Sequence, residues 1–330
     1  MSLSYKDTGV NIDIGRKVVS NIKKLVHKTF TPNVLTDIGS FGGCFSFPVS
    51  EYKSPVLVSS TDGVGTKLII ANLMNRYDTI GQCLVNHCVN DILTTGAKPL
   101  YFLDYIGTGQ LNPNVIKELI AGLSKACCEN DCSLIGGEMA EMPDIYYNKD
   151  YDIVGTITGV VEKENLLFDR VKRGDILIGL PSSGLHTNGY SLARKVLLKN
   201  YSVENYISEI DGVLGEVLLK VHRSYLKPVS DLLNKKELHA IGHITGGGIE
   251  GNTERLIPDG LKLKIDWNAW DWLPIFKLIQ NVGKISIKEM QKVFNLGIGL
   301  VLIVDRDYAD KFFHELEDNG ELPLNIGEIG

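Results

Sequence analysis

The chain has 330 residues and a formal net charge of −6, with 44% apolar and 22% charged residues. This ordinary globular composition leaves room for two domains and an ample core. No long apolar segment is present to span a bilayer, and no Lys/Arg run longer than two supports general nucleic-acid binding. Met1–Asp7 has neither the apolar core of a signal peptide nor an arginine-rich transit character, so a cytoplasmic chain is expected.

The first strong signal is an apolar run, Pro55–Val58, leading into Ser59-Ser60-Thr61-Asp62-Gly63-Val64-Gly65-Thr66-Lys67. A strand ending in an acid, two glycines and a lysine reads as a loop for phosphate and metal. Glycine allows close backbone approach, and successive N–H groups form a concave anion site. Asp62 can hold a metal ion and Lys67 can reach a phosphate. The spacing fits neither a Walker loop nor a dinucleotide fingerprint, because Leu68 stands where either motif needs another residue.

A helix is expected over 78–95, then a strand over Pro99–Tyr105. A second helix, over 112–130, has Asn112 as its cap and Pro113 in its first turn. A short strand, Ser133–Ile135, ends at Gly136-Gly137-Glu138, and a β-rich run covers 151–161. This order predicts an α+β N-terminal domain, a mixed sheet with helices on one face. The domain boundary is placed at 168–174, dividing the chain into residues 1–170 and 171–330. The second unit reads as α/β. Strands are expected at 176–180, 239–244, 298–304 and 324–329, and helices near 188–199, 212–233, 273–280, 286–294 and 307–318. The six cysteines, at 44, 83, 88, 127, 128 and 132, lack Cys-x-x-Cys spacing and read as reduced thiols.

Asp91 lies on the apolar arc of the 78–95 helix and in its last turns, where burial and the helix dipole both disfavour a carboxylate. A metal ligand is the favoured reading, against a structural Asp salt-bridged to Lys98, with Asn90 beside it to orient ligands or contact nucleotide. Glu138 follows a strand and two glycines, and Glu141 competes for the same role. Asp62, Asp91 and Glu138 make an oxygen set suited to Mg²⁺ and nucleotide phosphates. In Ser182-Ser183-Gly184-Leu185-His186-Thr187-Asn188-Gly189-Tyr190 a strand turns into a helix start, which suits an anion, and His186 can donate to a phosphate or carry a proton. Thr245-Gly246-Gly247-Gly248, after another strand, reads as a substrate phosphate cradle. Ser40-Phe41-Gly42-Gly43 reads as a flexible lid. His87, His222, His239 and His243 show no metal-ligand spacing.

Taken in order, Tyr5-Lys6-Asp7-x-Gly9-Val10, Ser59 to Lys67, Cys88-Val89-Asn90-Asp91-Ile92, Phe102-Leu103-Asp104-Tyr105, Gly136 to Pro143, Ser182 to Tyr190, His243 to Gly248 and Phe294-Asn295-x-Gly297-x-Gly299 resemble the phosphoribosylformylglycinamidine cyclo-ligase family. The resemblance covers essentially the whole chain. It implies ATP-dependent conversion of formylglycinamidine ribonucleotide to aminoimidazole ribonucleotide, through a phosphorylated amide (iminophosphate), in purine biosynthesis. It also implies a homodimer whose N-terminal domains build a β-barrel. Nucleotide would lie on Asp62, Gly63, Val64, Gly65, Thr66, Lys67, Asn90, Asp91, Gly137 and Glu138, with Mg²⁺ on Asp62, Asp91 and Glu138. Substrate would lie on Ser183, Gly184, His186, Asn188, Thr245, Gly246, Gly247 and Gly248, with His186, Asp91 and Lys67 catalytic. One departure is Met139, where the family has Thr after Gly-Gly-Glu.

Overall fold

The computed structural model describes residues 12–147 and 150–330, so the Tyr5–Val10 motif lies outside the described residues. The N-terminal half contains α1 (Ile12–Val26), β1 (Pro55–Gly63), α2 (Lys67–Met74), α3 (Asp78–Leu93), β2 (Lys98–Thr108), α4 (Pro113–Glu129), β3 (Ser133–Glu141) and β4 (Tyr151–Glu162). Its four strands lie in the order β1-β4-β2-β3. Only β2 and β3 are parallel, and β1 pairs with β4 from Pro55↔Glu162 to Gly63↔Val154.

One face of this sheet is packed by helices and the other is open. Along β1 the residues alternate between exposed and half-buried, with Leu57, Ser59 and Thr61 exposed. On β2, Phe102, Asp104 and Ile106 are buried while Tyr101, Leu103 and Tyr105 are half-buried. A period of two with a turned-in apolar set is what a sheet covered on one side requires. Asp104 is the exception on the covered side, and burial pushes its carboxyl up to about 7.

Helices α3 and α4 approach almost backbone to backbone. A Cβ at Gly81 would strike the Leu119 carbonyl, and one at Gly122 the Asp78 carbonyl, so glycine at both positions sets the crossing. Fourteen of the sixteen α3 residues are buried, because α3 also packs against the second half of the chain.

That half begins with β5 (Ile176–Pro181) and α5 (Tyr190–Leu197). A two-residue hairpin follows, β6 (Tyr206–Ile207) and β7 (Gly212–Val213), with the short helices α6 (Leu214–Leu218) and α7 (Leu226–Val229). Then come β8 (Leu238–His243), α8 (Gly248–Thr253), β9 (Leu263–Ile265), α9 (Pro274–Gly283), α10 (Ile287–Val293), β10 (Ile298–Val304), α11 (Ala309–Asp318) and β11 (Leu324–Ile329). The five-stranded sheet runs β8-β10-β5-β11-β9 and is antiparallel throughout. Every residue of β10 is buried. One side of this sheet joins the main core that continues into the N-terminal half, and the other carries a smaller cluster of Leu177, Val301, Ile303 and Ile326. Among the described residues no helix is long and apolar enough to cross a membrane.

Candidate functional site at the junction of the two halves

The C-terminal turns of α3 present His87, Asn90 and Asp91 to the end of β8 and to the segment between α6 and α7. A chain of polar contacts results. Asp91 Oδ1 lies 2.8 Å from His243 Nδ1, and His243 Nε2 lies 3.0 Å from His222 Nε2. His222 Nδ1 lies 3.3 Å from Thr187 Oγ1, which lies 2.7 Å from His87 Nδ1. His87 Nε2 then stands 2.9 Å from Asp62 Oδ2, at the end of β1. That last contact is poorly aligned, so the buried Nε2 is left without a hydrogen-bond partner. Ser60 Oγ donates to Asp91 Oδ2 at 2.9 Å. The chain surfaces at its carboxylates: the side chain of Asp62 is 47% exposed and that of Asp91 24%.

Asp91 therefore has the partners its position on α3 demanded, though they come from β1 and β8. His222 and His243 are central to the cluster despite their lack of a sequence pattern. They were missed because the residues converge from positions 62, 87, 91, 187, 222 and 243, a grouping that only the tertiary fold makes.

Lys67 does not reach open solvent. It is fully buried, and its ammonium donates to the carbonyls of His186 (2.9 Å) and Lys220 (2.6 Å) and to Cys83 Sγ (3.1 Å). Those contacts use all three of its hydrogens and tie the glycine loop to the second half. Burial also lowers its pKa, with Cys83 opposing the shift.

The single helix expected over 212–233 is interrupted for a related reason. Four consecutive carbonyls there are taken by distant side chains: Lys220 by Lys67, Val221 by Ser183, His222 by Asn86 and Arg223 by Asn90. Carbonyls held this way cannot close helical turns, so tertiary contacts override a helical pattern.

His186 also sits differently from a residue open to ligand. Its backbone is left-handed (φ 60°), and its ring is buried and stacked on His222 at 4.0 Å. Its Nε2 accepts from the Ser183 N–H at 3.1 Å. Burial and neighbouring cations hold it well below the usual histidine range, so it is neutral. The Gly184 carbonyl is likewise consumed within the fold, by Ser182 and Asn295.

Of the glycine loop, Val64 is buried, Gly65 is exposed at φ 56°, and Thr66 Oγ1 lies 3.1 Å from Ser191 Oγ on α5. Asn188 and Gly246 are neighbours, so the 182–190 and 245–248 loops line one side of the junction. Asn252 clamps the second loop by donating to the carbonyls of Thr245, Gly246 and Gly248. Gly246 and Gly247 are exposed, whereas Gly248 is buried and a side chain there would strike the Gln291 carbonyl. Packing and a left-handed backbone (φ 68°) account for that third glycine.

Glu138 is not brought to Asp62 and Asp91 within one chain. It is exposed on β3, at the opposite edge of the sheet from β1, three strand spacings or roughly 14 Å away. Gly137 is beside it, packed on Asp104.

Residues 49–161 match the family described as AIR synthase related protein, N-terminal domain, and residues 172–330 match its C-terminal domain. The chain is 47% identical over 330 residues to the phosphoribosylformylglycinamidine cyclo-ligase of Pseudothermotoga lettingae, covering 100% of this chain and 97% of that one. It is 49% identical over 330 residues to the enzyme of that name from Carboxydothermus hydrogenoformans, at 99% and 96% coverage. The chain belongs to the phosphoribosylformylglycinamidine cyclo-ligase family. Its fold is shared more widely. Thiamine-monophosphate kinase from Stenotrophomonas maltophilia superposes with a TM-score of 0.68 at 16% identity, over 95% of this chain and 93% of that one. The hydrogenase maturation protein HypE in complex with ATP superposes with a TM-score of 0.67 at 17% identity, over 96% and 86%.

Within this member of the cyclo-ligase family the electrostatics of the cluster favour ionised carboxylates. Burial alone would raise both acids, but His87 beside Asp62, and His243 and His87 beside Asp91, outweigh it and hold both below their ordinary range. Burial likewise opposes charge on His87, and Asp62 and Asp91 more than compensate, raising it. Burial keeps His243 below the ordinary range, and His222 well below it.

Proposed function

We propose that this chain closes the imidazole ring of aminoimidazole ribonucleotide from formylglycinamidine ribonucleotide, converting ATP to ADP and phosphate. The observation that carries this reading is identity of nearly one half, end to end, with relatives of that name. In the reaction the formyl oxygen takes the γ-phosphoryl group and ADP leaves. An amidine nitrogen then attacks the formyl carbon, the C–O bond breaks, phosphate departs with the oxygen, and the nitrogen gives up a proton.

Mg²⁺ fits the junction through Asp62 and Asp91. Both are ionised, partly open to solvent and near the exposed Gly65. One or two carboxylates completed by phosphate oxygens are the usual protein share of such a site; the ion would neutralise charge on the transferring phosphoryl group. The exposed Gly246 and Gly247, with Asn188, are assigned to the substrate phosphate. His186 is assigned to holding the 182–187 loop, and Lys67 to holding the halves together.

The open face of the N-terminal sheet, with Leu57, Leu103, Tyr105 and Val154, is assigned to a homodimer, and Glu138 enters a site only across that interface. We place the enzyme in the cytoplasm. The test is ADP release by purified protein with ATP and Mg²⁺, with and without formylglycinamidine ribonucleotide, while product is assayed. Release should depend on that substrate and match product. Asp91→Asn should lower kcat by about 10²–10³ while the fold is kept. Release indifferent to the substrate would overturn the reading.

A further inference from the structure

The side-chain amide of Asn90 is oriented by its neighbours. Its Oδ1 accepts from the Tyr225 N–H at 3.0 Å, and its Nδ2 donates to the Arg223 carbonyl at 2.9 Å. The same Nδ2 lies 3.2 Å from His222 Nε2, which must therefore accept. His222 then carries its hydrogen on Nδ1, towards Thr187, and the remaining contact to its Nε2 is a donation from His243 Nε2. With Nε2 engaged by His222, His243 turns its Nδ1 on Asp91 Oδ1. At 2.8 Å the two atoms share either a proton or a metal ion that displaces it.

A second ring nitrogen points to the same place. His87 Nε2 is buried and makes no well-aligned hydrogen bond; it stands 2.9 Å from Asp62 Oδ2 and 3.8 Å from Asp91 Oδ2. One donor atom from each of His87, Asp91 and His243 falls within 4.8 Å of the others. Both histidines are held from behind through their other ring nitrogen, His87 by Thr187 and His243 by His222. Outer partners of this kind orient metal-ligating imidazoles.

We propose that His87 Nε2, His243 Nδ1 and the Asp91 carboxylate bind a borderline divalent transition-metal cation, Zn²⁺ or Co²⁺. Two imidazoles and one carboxylate suit such ions, whereas Mg²⁺ takes oxygen. Three protein ligands leave a position for water or for Asp62. An ion held there occupies Asp91, so it competes with Mg²⁺ for the junction. That consequence rests on the cyclo-ligase reading; the site itself does not.

The test uses Co²⁺ alone, added to the full chain after chelator treatment and followed by visible absorption. One equivalent should give the intense d–d bands of a four- or five-coordinate site, which persist in millimolar Mg²⁺ and vanish on adding Zn²⁺. In His87→Asn the amide can keep the Thr187 contact but offers no Nε2, and Co²⁺ affinity should fall at least about tenfold. Weak octahedral bands in the parent, or bands that Mg²⁺ abolishes, would overturn the site even if that variant failed to fold. Equal affinity in a folded His87→Asn would do the same. Failure of substrate-dependent ADP release, with the Co²⁺ bands intact, would sink only the cyclo-ligase reading.

Discussion

The two sheets of this molecule are finished to different degrees. In the C-terminal sheet every residue of β10 is buried and both faces carry a core. In the N-terminal sheet one face packs α3 and α4 while the other leaves Leu57 59% exposed beside rows of threonine and tyrosine. The first sheet explains itself as packing. The second has a side that contributes little to folding one chain, which is where a surface kept for another purpose is found. Between them, the junction is held by buried polar groups rather than by apolar area alone.

Substitutions at three positions probe this contrast. The largest effect is expected at the junction. Lys67→Ala leaves the His186 and Lys220 carbonyls unsatisfied and opens a cavity, and should cost about 3–5 kcal/mol of unfolding free energy in urea. A loss below about 1 kcal/mol would show that the halves do not depend on this clamp. Next, Leu302→Ala in the doubly covered sheet should cost about 2–4 kcal/mol, whereas Leu57→Ala on the open face should cost less than about 0.5 kcal/mol. Leu57→Asp should instead shift sedimentation from dimer to monomer, and an unchanged sedimentation coefficient would remove Leu57 from any interface.

A further effect depends on pH. The Asp104 carboxyl ionises near 3.8 when unfolded but is pushed up to about 7 by burial, so the folded chain holds an extra proton between those values. Stability therefore falls as pH rises through that window. Asp104→Asn should flatten the slope and exceed the parent by about 4 kcal/mol at pH 8, while staying close to it near pH 4. Parallel pH profiles for the two proteins would contradict this.

Local signals were legible where local physics decided the outcome. Asn112 caps α4 through its side chain, with Pro113 at the first turn. β1, α3 and β10 also lie where apolar runs and periodicity put them. α1 and α2 carry no signal used above, and a single helical pattern spans α6 and α7 because the side chains that capture carbonyls 220–223 come from positions 67, 86, 90 and 183. Of the acids expected to share a metal, Asp62 and Asp91 meet through His87, while strand order puts Glu138 on the far edge. Strand order and histidine convergence are long-range facts, and no periodicity encodes them.

The pairing of β1 with β4 bears on how the chain is made. The partners stand about a hundred residues apart, from Gly63↔Val154 to Pro55↔Glu162. A ribosome adding about 5–20 residues each second needs roughly 5–20 s to deliver β4 after β1 has emerged. Over that interval β1 has no strand to pair with, and β2 and β3 can join only each other. Closure of the N-terminal sheet is thus set by synthesis of its last strand, and the nascent chain is most open to chaperones, or to misplaced strand pairing, just before residue 162 leaves the exit tunnel.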